Sequence, residues 1–368
     1  MKEKFDILFI SKHPTTLVRS DGFLNRVAEI DKLFSDLNKV YLDITLKFCS
    51  FKKEEFQSEN TKIVRLNLFY HFLQIVKYLN EAERLYIHSV YMGFRIFPHI
   101  YFARIKGKVC LELHGVFEEE LEYKGEKVRS KFYHFIEKQL VNLADILVYV
   151  SKSFEQYYLE KYPETKNKTR FIIPACNSQV HIQNDTSKVK AIREKYNIQN
   201  NDVVLIYSGN IEKWQKIELT LETMSKLYYS KPNFKFFLLT GNPENMKELA
   251  ENYNLPIGER AFILKLPPEE LAPFYEISHY GFVLRDDSIV NRVSSPTKLL
   301  EYLYFGIIPV MLSTKIGFFE GFDCDFIYLE DIYNINTPRK SEKNKQIAQE
   351  VLKSYYYELE KLKKTILD

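Results

Sequence analysis

Short apolar runs alternate with longer stretches of helical period along almost the whole chain. That alternation restricts the fold more than any single motif does. Strands joined through helices pair in parallel, and the helices cover both faces of the sheet. Phe5–Ile10, Val40–Ile44, Lys62–Leu66, Leu85–His88, Val109–Leu113, Ile146–Val150 and Phe171–Ile173 read as strands. Helical periods fall near 22–36, 69–81, 91–104, 128–143 and 151–161. Residues 174–188 are polar, contain Pro174 and Asn177 and show no period, as a linker does. The alternation then resumes. Strands read at Val203–Tyr207, Phe234–Leu239, Ala261–Leu264, Tyr280–Leu284, Ile307–Leu312 and Phe326–Leu329. Helices read near 187–197, 216–230, 243–253, 268–276 and 296–305, and a long one from about Glu342 to Leu367 closes the chain. The expectation is an α/β protein of two Rossmann-like parallel-sheet domains, residues 1–178 and 189–341, facing across a cleft. The length, 368 residues, suits two cores, since one core stops growing near ~250–300 residues.

Several functions are disfavoured at this level. The net charge of +3, from 52 basic and 49 acidic residues, is too balanced for a nucleic-acid partner. No strand–helix junction carries G-x-G-x-x-G or G-x-x-x-x-G-K-[ST], which argues against nicotinamide cofactors and P-loop chemistry. Cys49, Cys110, Cys176 and Cys324 lack paired spacing, and Cys110 and Cys176 sit in apolar runs as core residues would. No His, Asp and Glu cluster has metal-ligand spacing, so neither a metal nor a cofactor is expected. The first residues lack the apolar centre of a signal peptide, and no run reaches the ~18–20 residues of a membrane span. The expectation is a cytoplasmic protein. The stretch 91–108 mixes aromatics with Arg95, Arg104, Lys106 and Lys108. It reads first as an interior helix with basic ends. Its second reading is peripheral contact with an anionic membrane face.

Polar groups gather at four strand ends, where ligands of such sheets bind. His114-Gly115 follows one strand, Ser208-Gly209-Asn210 another, and Thr240-Gly241 a third. The fourth is the stretch from Arg285 to Val310. Within it Ser294 and Ser295 can cap a helix that starts at Pro296 and ends at Gly306. A helix start just past a strand is an anion site, and Lys298 and Glu301 lie one turn inside it. The plainer reading of Lys298 and Glu301 is a solvated i,i+3 pair. Glu118, Glu119 and Glu120 read as the solvated acidic start of another helix.

Tyr207-Ser-Gly, a Lys-bearing loop, and Ser294-Ser-Pro-Thr-Lys-Leu-Leu-Glu-Tyr-Leu-Tyr-Phe-Gly-Ile-Ile-Pro-Val310 resemble the C-terminal domain of GT-B glycosyltransferases. The likeness is greatest to the large retaining family 4, and Ala144–Ser151 and Ile172–Asn177 also match that family's usual segments. The resemblance implies a metal-independent transfer of sugar from a nucleotide-sugar donor to a hydroxyl of a glycan or lipid-linked glycan. It implies retention of configuration and a closing helix, 342–368, that returns to the first domain. It assigns Glu301 to the ribose hydroxyls of the donor. Ser294, Ser295 and the backbone N–H groups of Thr297 and Lys298 go to the diphosphate, and the strand-end residues Gly209, Asn210 and Gly241 are placed in the wider donor site. Lys213 or Lys216 would neutralise the departing phosphate, assisted by Arg285 or Arg292. His114 would face the donor sugar.

Three positions depart from the family pattern. Val293 stands where a sugar-orienting glutamate is usual, Asn210 where an arginine is usual, and Gln215 where a lysine is usual. Asp286 and Asp287 are the nearby carboxylates that could replace the first. Two alternatives stay open: a nucleotide-sugar epimerase of the same fold, and a non-catalytic relative that binds nucleotide or glycan.

Overall fold

The computed structural model describes residues 5–14, 22–47, 51–177 and 185–368. The chain forms two compact units. The first comprises Met1–Pro174, Arg292–Ser294 and Tyr355–Asp368, and the second Ala175–Asn291 and Ser295–Ser354. Cys49 and most of the aperiodic stretch before Asp185 lie outside the described residues.

The sheet of the first unit has eight strands: β1 (Ile7–Ile10), β2 (Lys39–Thr45), β3 (Glu54–Ser58), β4 (Thr61–Asn67), β5 (Arg84–Ile87), β6 (Lys108–Leu113), β7 (Ile146–Tyr149) and β8 (Thr169–Ile172). Their order is β3-β4-β2-β1-β5-β6-β7-β8. Every pair is parallel except β3 with β4, a hairpin turned through Glu59 at φ 49°. The parallel sheet is as expected, and the antiparallel edge strand β3 is an addition to the strands read from sequence. All five residues of β3 are exposed, so it carries none of the apolar pattern by which a strand is read. The expected helix over 91–104 is a run of short turns, Val90–Gly93, Phe94–Ile96 and Phe97–Ile100. Pro98 has no N–H to give to Phe94, which ends a continuous helix there.

The second sheet comprises β9 (Val203–Ser208), β10 (Phe234–Leu239), β11 (Ala261–Leu264), β12 (Tyr280–Val283), β13 (Ile308–Met311) and β14 (Ile327–Tyr328). It is parallel throughout, in the order β11-β10-β9-β12-β13-β14. Helix Ile217–Ser230 buries Leu221, Met224 and Leu227 against Phe234, Phe236 and Leu238, which is the core of this unit. Each such side chain contributes roughly 1.5–3 kcal/mol on burial. These are the two Rossmann-like layers of the GT-B fold.

The final helix, Glu342–Leu367, serves both units: residues up to Ser354 belong to the second and those from Tyr355 to the first. Its last carbonyls meet basic side chains at neighbouring strand starts. Arg84 donates to the Ile366 and Leu367 carbonyls at 3.2 and 2.9 Å, and Lys108 to Thr365 at 2.9 Å. Cations suit a helix C-terminus, whose carbonyls lack partners of their own. Among the described residues no helix is long and apolar enough to cross a membrane.

Candidate nucleotide site

Strand order in the second sheet runs outward from β9 to β10 and β11 on one side, and from β12 to β13 and β14 on the other. The reversal lies between β9 and β12, and the crevice at their carboxyl ends is where such a sheet takes a ligand. Ser208 and Gly209 end β9, while Leu284 and Arg285 follow β12. A small cavity of about 20 Å³ there is lined by Tyr207, Ser208, Gln215, Leu284, Arg285, Pro296 and Lys298, among others.

Helix Thr297–Tyr304 points its start at this crevice's residues, but its cap differs from the expectation. Pro296 holds the N-cap position and no side chain caps the helix. Ser295 Oγ instead accepts from the Ala175 N–H at 3.1 Å, and Ser294 belongs with Arg292 to the first unit. The helix ends in a Schellman turn: Gly306, at φ 67°, donates to Leu303 and Ile307 donates to Tyr302.

Glu301 is 4% exposed, so the solvated pair with Lys298 is not what forms. Tyr275 Oη lies 2.7 Å from Glu301 Oε2 and 2.9 Å from Ser208 Oγ. A phenol has one proton, so it donates to the carboxylate and accepts from the serine. The Ser208 N–H donates to Tyr302 Oη at 3.0 Å. Two tyrosines thus fasten this helix to the end of β9. Burial raises the Glu301 carboxyl above its ordinary value against the pull of Tyr275 and Lys298. Burial also lowers Lys298, to about 8 despite Glu301, and Arg285, to about 10. Each of these three groups is held where its charge is costly, although Lys298 and Arg285 keep part of their surface exposed.

Around them lies a set of charges. Lys216, left-handed at φ 48° before helix Ile217–Ser230, places Nζ 3.1 Å from Asp286 Oδ2. Asn291 accepts from Arg285 Nη1 at 3.1 Å and donates to Asp286 Oδ1 at 2.7 Å. Lys216 and Asp286 are therefore committed to each other. Lys213 is exposed in the turn Lys213–Gln215. Gly209 is crowded by side-chain ends: a Cβ there would stand 2.5 Å from Gln215 Oε1 and 2.8 Å from Tyr207 Oη, so those side chains would have to move. Tyr207 Oη meets both the Asn210 carbonyl and the Gln215 side chain, which gives Gln215 and Asn210 a bracing role. Gly241 lies in the turn after β10, one strand away from the reversal. Tyr275 and Asn291 were not singled out from sequence. Tyr275 lies in no motif and only its distant partners reveal it, whereas Asn291 falls within the stretch from Arg285 to Val310 and its partners Arg285 and Asp286 are close in sequence.

The first sheet reverses between β1 and β5. A cavity of about 590 Å³ there is lined by Lys12, Phe23, Tyr91, Phe117 and His114, among others. Beneath His114, Glu112 is fully buried, with Oε1 2.6 Å from Arg26 Nε and Oε2 3.0 Å from His88 Nδ1. His114 Nε2 is 3.5 Å from the same Oε2 and makes no hydrogen bond. Burial would raise Glu112, but Arg26 and the histidines outweigh it and hold the carboxyl well below its usual range. His88, Glu112 and His114 offer ligand atoms within 4.8 Å of one another, a grouping that sequence spacing did not show. Both Glu112 oxygens are already engaged, and the adjoining guanidinium opposes a further cation. The trio fits a buried ion-pair cluster better than a metal centre. The acidic run behind it is likewise not simply solvated: Lys161 lies 2.6, 2.7 and 2.9 Å from Glu118, Glu119 and Glu137.

In the first unit Ser151 Oγ donates to the Val293 carbonyl at 2.6 Å, and Ser153 to that of Arg292 at 2.8 Å. Val293 itself is buried, 1% exposed.

Two parallel-sheet layers, each with its own reversal point, define the GT-B fold. Residues 188–321 match the family model of glycosyl transferases group 1. No curated protein matches the sequence. Among solved structures, HepE from Anabaena in complex with UDP and glucose is similar, with a TM-score of 0.69 at 13% identity, covering 98% of this chain and 99% of that one. Sucrose-phosphate synthase from Thermosynechococcus elongatus has a TM-score of 0.59 at 13% identity, with 99% and 94% covered. The α,α-trehalose 6-phosphate synthase of Burkholderia multivorans has a TM-score of 0.64 at 9% identity, with 98% of each chain covered.

Proposed function

We propose that this protein transfers a sugar from a nucleotide-sugar donor to a hydroxyl group, with the nucleotide held by the second unit. The observation that carries this reading is the meeting of Glu301, Lys298 and Arg285 at the reversal point, each with its charge disfavoured by burial. Glu301 accepts both ribose hydroxyls. Lys298, Arg285 and the first amides of helix Thr297–Tyr304 take the diphosphate, where negative charge grows as the sugar leaves. The family match over 188–321 and the UDP-bound neighbour of the same fold support a nucleoside diphosphate as the ligand.

In the transfer, the bond from the anomeric carbon to the diphosphate oxygen breaks and the acceptor oxygen bonds to that carbon. The acceptor proton passes to the departing phosphate. By family resemblance, attack comes from the leaving-group side and the configuration is retained. His114 is proposed to contact the donor sugar, and Lys213 or Lys216 to help neutralise the phosphate. Lys216 would first have to exchange Asp286 for the phosphate. The acceptor is proposed to be a glycan or lipid-linked glycan of cell-surface polysaccharide assembly, met at the inner face of a membrane.

Val293 supports a second reading, nucleotide binding without transfer. It is apolar and buried where the family has a sugar-orienting glutamate, and Asp286 is engaged by Lys216 and Asn291. A thermal-shift panel of UDP, GDP, ADP and CDP and their sugars tests both, because a ligand of the folded state raises its stability. Binding with release of the nucleoside diphosphate that depends on an added acceptor supports transfer. Binding without turnover supports the second reading, and no binding at all refutes both.

A further inference from the structure

The first unit has a second cavity, of about 420 Å³, beside the one that holds His114, and the two share Lys12, Tyr91 and Arg95. Its carboxylates are already matched. Asp43 lies 3.3 Å from Arg65 and 3.8 Å from Arg95, and Glu54 lies 3.2 Å from Arg65. Arg95 is further fixed by the Ile44 carbonyl at 2.7 Å. Lys12, Lys47 and Lys52 complete the lining, with Lys47 and Lys52 at the exposed rim. None of these three ammonium groups enters an ion pair or hydrogen bond among the described residues. Cations gathered in one concavity repel one another and raise the local concentration of anions.

We propose that this cavity is an anion subsite that holds a phosphate group of the sugar acceptor while the rest of the acceptor lies in the adjoining cavity near His114. Three uncommitted lysines suit the two charges of a phosphate ester better than the single charge of a carboxylate. The adjoining walls, Phe23, Val90, Tyr91, Met92 and Phe117, would accept an apolar chain or the faces of a sugar ring. The phosphate is therefore that of a lipid phosphate or of a free sugar phosphate. Calling it the acceptor rests on the transferase reading above; the anion site itself does not.

Calorimetry on the full chain with glucose 6-phosphate, hexyl phosphate and glucose, each in saturating UDP, tests this. At least one phosphate should bind and glucose should bind at least about tenfold more weakly, since hydrogen bonds to charged groups are the strong ones. In Lys47→Gln/Lys52→Gln, phosphate affinity should fall about tenfold with UDP affinity unchanged. These side chains are exposed, and a thermal melt confirms that the variant folds. Tighter binding of hexyl phosphate assigns a lipid source, and tighter binding of glucose 6-phosphate a soluble one. Failure of both phosphates to bind, or equal binding to the double variant, overturns the subsite. If UDP fails to bind while the phosphate effect persists, the donor reading falls and the subsite stands.

Discussion

Tyr275 donates its hydroxyl to Glu301 at 2.7 Å, and so links two helices that lie on either side of β12 in the chain. The bond keeps a buried carboxylate in one orientation. Tyr275→Phe leaves that carboxylate short of a donor, and urea unfolding should show a loss of about 1–3 kcal/mol. Glu301→Ala should weaken UDP binding by about tenfold or more, since it removes hydrogen bonds made to a charged acceptor. An unchanged UDP affinity in a folded Glu301→Ala protein would remove the ribose assignment.

With Lys298 as the proposed phosphate ligand, nucleotide binding should depend on pH. The Lys298 pKa is lowered to about 8 by burial. A diphosphate favours the protonated form, so affinity should be steady just below that pH and fall as pH rises through it. The terminal phosphate is already fully ionised there, its own second pKa being ~6. In Lys298→Met the decline between neutral pH and the alkaline range should disappear, along with part of the affinity. A wild-type affinity that stays flat across this range would count against Lys298 as a phosphate ligand.

Gly209→Ala introduces a Cβ 2.5 Å from Gln215 Oε1 and 2.8 Å from Tyr207 Oη. The Gln215 and Tyr207 side chains have to give way and with them the hydrogen bond that joins them, at about 1–3 kcal/mol. Adding Gln215→Ala should recover part of that stability by removing the nearer obstacle. Equal stability of the single and double variants would show that the side chains yield without cost.

Arg26 and Glu112 should be strongly coupled. Glu112→Gln leaves a buried guanidinium without its counter-charge, a loss of about 3–5 kcal/mol by denaturant titration. The pair Arg26→Met/Glu112→Leu should be more stable than either single change. The folded-state Glu112 pKa is depressed, so its stabilisation is present above the unfolded carboxyl value and is lost as pH falls toward the folded one. Wild type should therefore lose stability in acid faster than the double variant does.

The parallel strands were legible because they are largely buried on both faces: every residue of Val203–Ser208 is inside, and the run Val203–Tyr207 carries no charged residue. β3 has no buried residue, and nothing in Glu54–Ser58 distinguishes it from a loop. At the site, the glycine turns and the Ser-Pro-Thr-Lys start could be read locally. The cap could not. Ser295 is drawn to Ala175, a partner 120 positions away, and Pro296 takes the place the serine would have held. The same holds for Glu301, whose i,i+3 spacing from Lys298 resembles a surface pair until Tyr275 and Ser208 close over it. Local pattern reports the hydrogen bonds a residue can make with its neighbours. It does not report which face of a short helix is covered by chain from elsewhere.

The closing helix has a consequence for how the protein is made. Arg84 and Lys108 lie in the part of the first unit that leaves the ribosome early, yet the carbonyls they hold belong to Thr365, Ile366 and Leu367. The first unit therefore waits, uncovered at the amino ends of β5 and β6, while the whole of the second is synthesised. During that delay the amino ends of these two interior strands are the surface on which a chaperone would have most time to act.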